Sequence, residues 1–352
     1  MEQSLNQKPD QSHVQPRDHP QRVTRLAPSP TGALHLGNAR TFLVNWALAR
    51  QSDWKIALRI EDLDTPRVKP GVMDLTVDLL SWLGIDWDTD PLIQSTQREL
   101  HESAMRKLAS KGLVYHCSLS RAEIDAAASA PQETAWPAQV DGAATGRENV
   151  YPRHLRPVQR PSTFEDAYPS WRFVVPDDWV TFDDMIAGKQ RHQPATSIGD
   201  FVVWTRRESE KSSQPTKPGQ AAYQLAVVVD DANVGVTDVV RGDDLLDSAA
   251  RQMMLYHALD AGVAPRYWHL PLVRGNDGRR LAKRHGDTRL DVYRSRGIRA
   301  GRVIALIARW CGISPVGHEM TAAEFRQRLA VDTIPRNPVV FTAEDEAWLS
   351  HR

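Results

Sequence analysis

A strand, a glycine-bearing turn, a helix and a second strand follow one another between residues 22 and 61, and that order leaves few folds open. Arg22-Val-Thr-Arg-Leu-Ala27 reads as a short buried strand, and Pro28-Ser-Pro-Thr-Gly32 breaks it. From about Gly37 to Arg50, Phe42, Leu43, Trp46, Leu48 and Ala49 recur at roughly helical spacing. Lys55 to Glu61 is the next strand. A strand that returns through a helix pairs in parallel, so this βαβ unit predicts a parallel sheet. Helices are expected over about residues 72–83 and 97–111, stopped by Gly84 and Gly112. Further on, Leu225–Asp230 and Val236–Arg241 read as strands and Leu245–Leu259 as a helix. Tyr267–Val273 reads as a strand, with Pro271 arguing against its continuity, and Arg299–Trp310 as a helix.

Composition excludes several classes. Lys and Arg number 44 against 44 Asp and Glu, which excludes a uniformly basic nucleic-acid module. The balance is uneven along the chain. Residues 53–102 carry 11 acids and 5 bases, whereas residues 265–310 carry 12 bases and 3 acids. The second segment is the natural face for a polyanion. Two cysteines 194 residues apart, Cys117 and Cys311, predict no disulfide scaffold and a reducing cytoplasm. No run of about 18 apolar residues exists, so no transmembrane helix and no membrane partner are expected. Residues 1–21 lack the apolar core of a signal peptide and read as a disordered tail. Residues 125–170 read as an insertion or poorly ordered connector, and residues 208–220 as a second flexible loop.

Four clusters can carry chemistry. The turn Arg25-Leu-Ala-Pro-Ser-Pro-Thr-Gly-Ala-Leu-His-Leu-Gly37 follows a strand and opens a helix, where backbone N–H groups and a positive helix end can meet an anion. Gly32 and Gly37 leave room for a ligand, and His35 is placed to donate to phosphate or ribose. Taken alone, H-x-G is equally a tight turn with a surface histidine. Glu61 follows the second strand, where ligands of open parallel sheets bind, but Arg59-Ile-Glu-Asp-Leu-Asp64 is also a plausible solvated acidic loop. Arg241 leaves an apolar strand with Tyr223 upstream, and suits a bidentate grip on a carboxylate. Gly278-Arg-Arg-Leu-Ala-Lys-Arg-His-Gly286 clusters cations in a glycine-bounded loop fit for a polyphosphate leaving group, or merely for solvent.

Together and in this order, the motifs resemble those of class I aminoacyl-tRNA synthetases of the glutamyl type. R-L-A-P-S-P-T-G-A-L-H-L-G-N-A-R resembles the HIGH-type motif, and R-L-A-K-R-H-G the KMSKS-type loop. R-I-E-D-L-D, Y-Q-L-A-V-V-V-D-D and G-V-T-D-V-V-R-G-D-D-L-L resemble the blocks between, and the resemblance covers about Arg22 to Leu349. E-D-L-D-T-P-R-V-K-P-G and L-I-Q-S are closer to the shorter paralogue family, which acts on queuosine-containing tRNA(Asp). Ile334-Pro-Arg-Asn-Pro-Val-Val-Phe-Thr resembles the end of the segment that, in the longer enzymes, leads into an anticodon-binding domain.

The resemblance implies an α/β fold. Residues 22–112 and 221–298 would form a Rossmann-like parallel-sheet catalytic domain, residues 113–220 an inserted α/β subdomain, and residues 299–352 a short helical C-terminal segment without an anticodon-binding domain. It implies tRNA-independent activation of L-glutamate by ATP with Mg²⁺, then transfer to queuosine in tRNA(Asp), by a monomer. Charging the 3′ end of a glutamate tRNA, or a non-catalytic paralogue, are the alternatives. The implied glutamate site is Arg25, Leu26, Ala27, Pro28, Ser29, Glu61, Tyr223 and Arg241. The implied ATP site is His35, Gly37 and Lys283, with His35 and Lys283 catalytic. Two departures stand out. The family's zinc site keeps Cys117 and Tyr151, but Leu119 and Leu155 replace the other ligands, so no zinc is expected. Ala282 stands where the KMSKS-type loop carries Ser, which removes one hydroxyl hydrogen bond.

Overall fold

The first half begins as the βαβ pattern dictates: β1 (Val23–Leu26), α1 (Leu36–Gln51), β2 (Lys55–Ile60), α2 (Val72–Trp82), β3 (Leu92–Ile93) and α3 (Arg98–Ser110). The computed structural model describes residues 21–64, 66–129, 150–206, 218–278, 281 and 288–350. β1, β2 and β3 pair in parallel, with Arg25 beside Ala57 and Arg59 beside Leu92. Helix α1 is buried on most of its surface because it lies inside the main core, where Leu43, Val44, Trp46 and Leu48 are buried with Ile56, Leu58 and Leu306.

An antiparallel region follows. It comprises β4 (Val114–Cys117), α4 (Arg121–Ser129), β5 (Ser170–Phe173), β6 (Val180–Asp184), β7 (Gly188–His192), α5 (Pro194–Ser197), β8 (Phe201–Thr205) and β9 (Gln220–Ala221). Strands β4, β5, β8 and β9 form one sheet, and β6 and β7 form a separate hairpin. Its own core centres on Trp171, Phe173, Val203 and Trp204. Part of the stretch expected to be a poorly ordered connector is pinned here. Residues 121–129 are helical, and Asp166 accepts hydrogen bonds from Arg98 (2.7 Å), the Trp204 indole (2.9 Å) and the Gly219 amide (2.9 Å). A carboxylate satisfied by three donors fixes a loop that shows no periodicity.

The chain then builds α6 (Tyr223–Val234), β10 (Asp238–Gly242), α7 (Leu246–Ala258), β11 (Arg266–Leu270), β12 (Val273–Arg274), α8 (Leu290–Ser295), α9 (Ala300–Trp310), α10 (Ala322–Arg328), β13 (Val339–Val340) and α11 (Ala343–Ser350). β10 and β11 are parallel. This pair meets the first sheet where the Thr237 amide donates to the Val23 carbonyl at 2.8 Å. No helix among the described residues is long and apolar enough to cross a membrane.

Two sequence expectations are corrected. Leu225–Asp230 is not a strand but the middle of α6. Its Val-rich run suits a strand, yet α6 is buried on nearly every side, so no apolar stripe marks it as a helix. Gly235, left-handed at φ 75°, closes it as a helix C-cap. The expected strand Tyr267–Val273 is split at Pro271. β11 ends at Leu270, and Val273 pairs instead with Val339. Proline has no N–H to continue the ladder. Residues 1–20 of the N-terminal tail, 130–149 of the first loop stretch and 208–217 of the second lie outside the described residues, as do Ala282 and Lys283.

Candidate active site

A cleft of about 690 Å³ opens beyond the C-terminal ends of β1, β2 and β10, the edge of a parallel sheet at which ligands bind. Arg25, Ala27, Pro28, Ser29 and Glu61 line one side, and Tyr223 and Arg241 another. His35 and Gly37 line the side at the start of α1. Leu26, grouped with these from sequence, does not line the cleft. It is fully buried in the core, because alternate residues of β1 face opposite ways.

Glu61 reaches the cleft through the turn before α1: its amide donates to the Pro28 carbonyl at 3.0 Å. Its carboxylate is 12% exposed, and Arg59 Nη2 holds Oε1 at 2.9 Å. Arg59 itself is buried and also pairs with Asp231. Asp231 in turn accepts from Arg25 Nε at 3.4 Å. Burial alone would raise the pKa of the Asp231 carboxyl, but Arg59 and Arg25 hold it below the ordinary carboxylate range. The adjacent Asp230 takes Gln94 Nε2 at 2.7 Å and His101 Nε2 at 2.8 Å. These buried charges are therefore paired and hydrogen-bonded, the condition under which they survive inside a core. The same network sets Arg25 and Glu61 at the cleft wall.

Arg241 is held from three sides. Nε donates to His269 Nε2 at 2.9 Å, Nη1 to Gln252 Oε1 at 2.9 Å, and Nη2 to the Leu245 carbonyl at 3.2 Å. Gln252 continues to Gln224 at 3.1 Å, and Gln224 to Ser248 at 3.0 Å. A guanidinium has five N–H groups, so these bonds leave donors for a ligand. Tyr223, 38% exposed, is the first residue of α6, not a residue preceding a strand.

The start of α1 differs from expectation. Its first N–H groups are already engaged. Leu36 N donates to the Thr288 carbonyl at 3.1 Å, while Gly37 N and Asn38 N donate to His35 Nδ1 at 3.1 and 3.4 Å. The helix end thus offers an anion its dipole rather than bare amides. Because Nδ1 accepts, the neutral His35 ring carries its hydrogen on Nε2, which makes that atom a donor. Gly37 provides room for this ring: a Cβ there would lie 3.1 Å from His35 Cε1. The start of α8 lies alongside, with Leu290 N donating to the Leu34 carbonyl at 2.8 Å. On the other flank Leu281 N donates to the carbonyl of Val273, a cleft residue, at 3.3 Å. Both flanks of the loop that contains Lys283 are therefore tied to the cleft rim.

Of the residues implied for zinc, Cys117 and Tyr151 lie together in one small buried cluster. Cys117 Sγ lies 3.7 Å from the Tyr151 hydroxyl. Burial and the Cys117 thiol push that phenol up to about 12, so it is a neutral hydroxyl at neutral pH. Leu155 packs against the cluster with its alkyl side chain. Among the described residues no three His, Cys, Asp or Glu side chains are grouped to hold a metal.

Sequence reasoning missed Asn38, Thr41, Arg67 and Asp244, which also line the cleft. It also missed His269 and Asp184 behind Arg241. Asn38 and Thr41 extend the α1 motif by a helical turn, a usable signal. Asp184 comes from a distant hairpin and leaves no local trace.

Residues 21–344 match the family model described as tRNA synthetases class I (E and Q), catalytic domain. The chain is similar to a glutamyl-Q tRNA(Asp) synthetase of Rhodopirellula baltica, 43% identical over 83% of this chain and 86% of that one. It is 41% identical to another of that name from Symbiobacterium thermophilum, over 93% of this chain and 98% of the relative. A glutamate–tRNA ligase of Synechococcus is 38% identical, with 93% of this chain covering 66% of it. Among solved structures, a glutamate-tRNA synthetase from Elizabethkingia anophelis superposes with a TM-score of 0.73 at 25% identity, over 94% of this chain and 70% of that one.

Proposed function

The chain belongs to the class I tRNA synthetases of the E and Q type, and from that premise we propose that it activates L-glutamate with ATP, without tRNA, and transfers the glutamyl group to queuosine in tRNA(Asp). One observation carries the choice of amino acid. The cleft wall carries the Glu61 carboxylate together with the cations Arg25 and Arg241. Glutamate presents the complement, one ammonium and two carboxylates. Tyr223 and Ser29 bound the same end, with Ala27 and Pro28 as the backbone turn beside them. The acceptor is argued from the two relatives of that name, which this chain covers nearly end to end.

In the proposed reaction an oxygen of the glutamate α-carboxylate attacks the α-phosphorus of ATP, supplied as its magnesium complex. The bond to the β-phosphate oxygen breaks, and pyrophosphate leaves. No protein nucleophile is required, so catalysis is positioning plus stabilisation of phosphate charge. His35 Nε2–H and Lys283 are assigned that second task, with Gly37 giving the His35 ring room. The queuosine acceptor then attacks the adenylate carbonyl, and AMP leaves.

ATP–pyrophosphate exchange with glutamate and no tRNA tests the first half. Exchange that requires glutamate, and not aspartate or glutamine, is the expected result. Folded protein that shows no exchange overturns the reading.

A further inference from the structure

Behind Arg241 lies a chain of hydrogen bonds that the reaction itself does not call for. Arg241 Nε–H donates to His269 Nε2 at 2.9 Å. A guanidinium has no lone pair and cannot accept, so His269 Nε2 must be the acceptor and the ring hydrogen must sit on Nδ1. Nδ1 faces Asp184 Oδ2 at 2.6 Å and donates to it. Asp184 is fixed in turn: its Oδ1 accepts from the amides of Ile186 (2.9 Å), Ala187 (2.7 Å) and His269 (3.1 Å). All three side chains are buried, at 5%, 1% and 4% exposure for Arg241, His269 and Asp184.

We propose that His269 and Asp184 are positioning residues that aim Arg241 into the cleft, and that glutamate binds only while His269 is neutral. The inference rests on the reading that Arg241 binds a glutamate carboxylate. Each bond in the chain has only one possible polarity, so the direction of the device follows from chemistry. A proton on Nε2 would set an N–H against an N–H and a second cation beside Arg241. The groups around the ring divide: burial and Arg241 disfavour a second proton, whereas Asp184 and the Leu245 carbonyl favour one. From β6 it faces Asp184, from β10 Arg241, and on its own strand the Tyr267 ring stacks at 5.8 Å. The Leu245 carbonyl is shared with Arg241, and α7 meets the arginine through Gln252. Burial is the largest influence and lowers the pKa of the imidazole from its ordinary value, and Arg241 adds to that. Asp184 opposes it without reversing the direction. The ring therefore stays neutral at neutral pH and gains its proton only on the acid side of an ordinary imidazole.

Asp184→Asn is the sharpest probe. It is isosteric and keeps the three backbone bonds on Oδ1. Its amide turns an N–H toward His269 Nδ1, which forces the ring hydrogen onto Nε2, against Arg241. Glutamate KM in the exchange assay should rise about tenfold or more, with ATP KM unchanged. His269→Gln keeps an acceptor for Arg241 and cannot titrate. It should hold glutamate KM within a few-fold, and it should abolish the acid-side loss of glutamate kcat/KM that protonation of His269 causes in the unmodified enzyme. An acid-side loss of glutamate kcat/KM that His269→Gln retains unchanged overturns the proposal. So does Asp184→Asn with normal glutamate KM while Arg241→Leu abolishes exchange. If Arg241→Leu itself leaves glutamate KM unchanged, the underlying assignment of Arg241 fails instead.

Discussion

The two ends of the cleft are built differently. At the end lined by Arg25, Glu61 and Arg241, the charges are buried and already answer one another through Asp231, Arg59, His269 and Asp184. At the end lined by His35 and Gly37, the wall is a turn whose first amides are spent on a histidine ring, beside Leu281 and Thr288, which flank the stretch holding Lys283. The first end is rigid before any ligand arrives, which suits discrimination among amino acids. The second presents a donor on His35, which suits groups needed only while charge builds on phosphate.

If that contrast holds, variants at the two ends should fail in different ways. Arg59→Leu should be the most damaging, because it leaves Asp231 and Glu61 without their shared partner. A loss of about 3–5 kcal/mol of stability is expected, read as the denaturant midpoint. A normal midpoint would show that the network is not structural. Lys283→Ala should leave melting unchanged and slow exchange by about 10²-fold or more, the usual cost of losing one transition-state donor. A near-normal rate removes it from the mechanism. Gly37→Ala should be milder. Its Cβ must push the His35 ring by a few tenths of an ångström, weakening a helix cap worth about 1 kcal/mol and raising ATP KM several-fold with glutamate KM unchanged.

The smallest effect concerns tRNA. The basic segment 265–310 is less exposed as charge than its composition suggests. Arg266 pairs with Asp238, Arg294 with Asp78, Arg296 with Glu346 and Arg299 with Glu319, all acids from outside that segment. The affinity for tRNA should therefore fall with salt, but with a shallow slope. A measured affinity that is flat from low to high salt would remove this face from tRNA binding.

How far the sequence foretold this depends on whether the information was local. The βαβ unit was legible because a turn and two periodicities are written in one continuous stretch. Glu61, Arg25 and Arg241 were legible because each ends or leaves a strand near a recognisable block. Helix α6 was misread because full burial erases the stripe that distinguishes a helix from a strand, although Gly235 carried the stop signal. The occupation of the α1 amides by His35 needed ring geometry, which spacing does not encode. His269 and Asp184 were invisible because their role exists only where β6, β10 and β11 converge.

The central claim is that glutamate ends on queuosine rather than on the 3′ terminus. Labelled glutamate and ATP incubated with queuosine-containing tRNA(Asp), followed by nuclease digestion, decides it directly. The account predicts label on the queuosine nucleotide and none on queuosine-free tRNA(Asp). Label on the 3′-terminal adenosine, or equal labelling of both tRNAs, would contradict it.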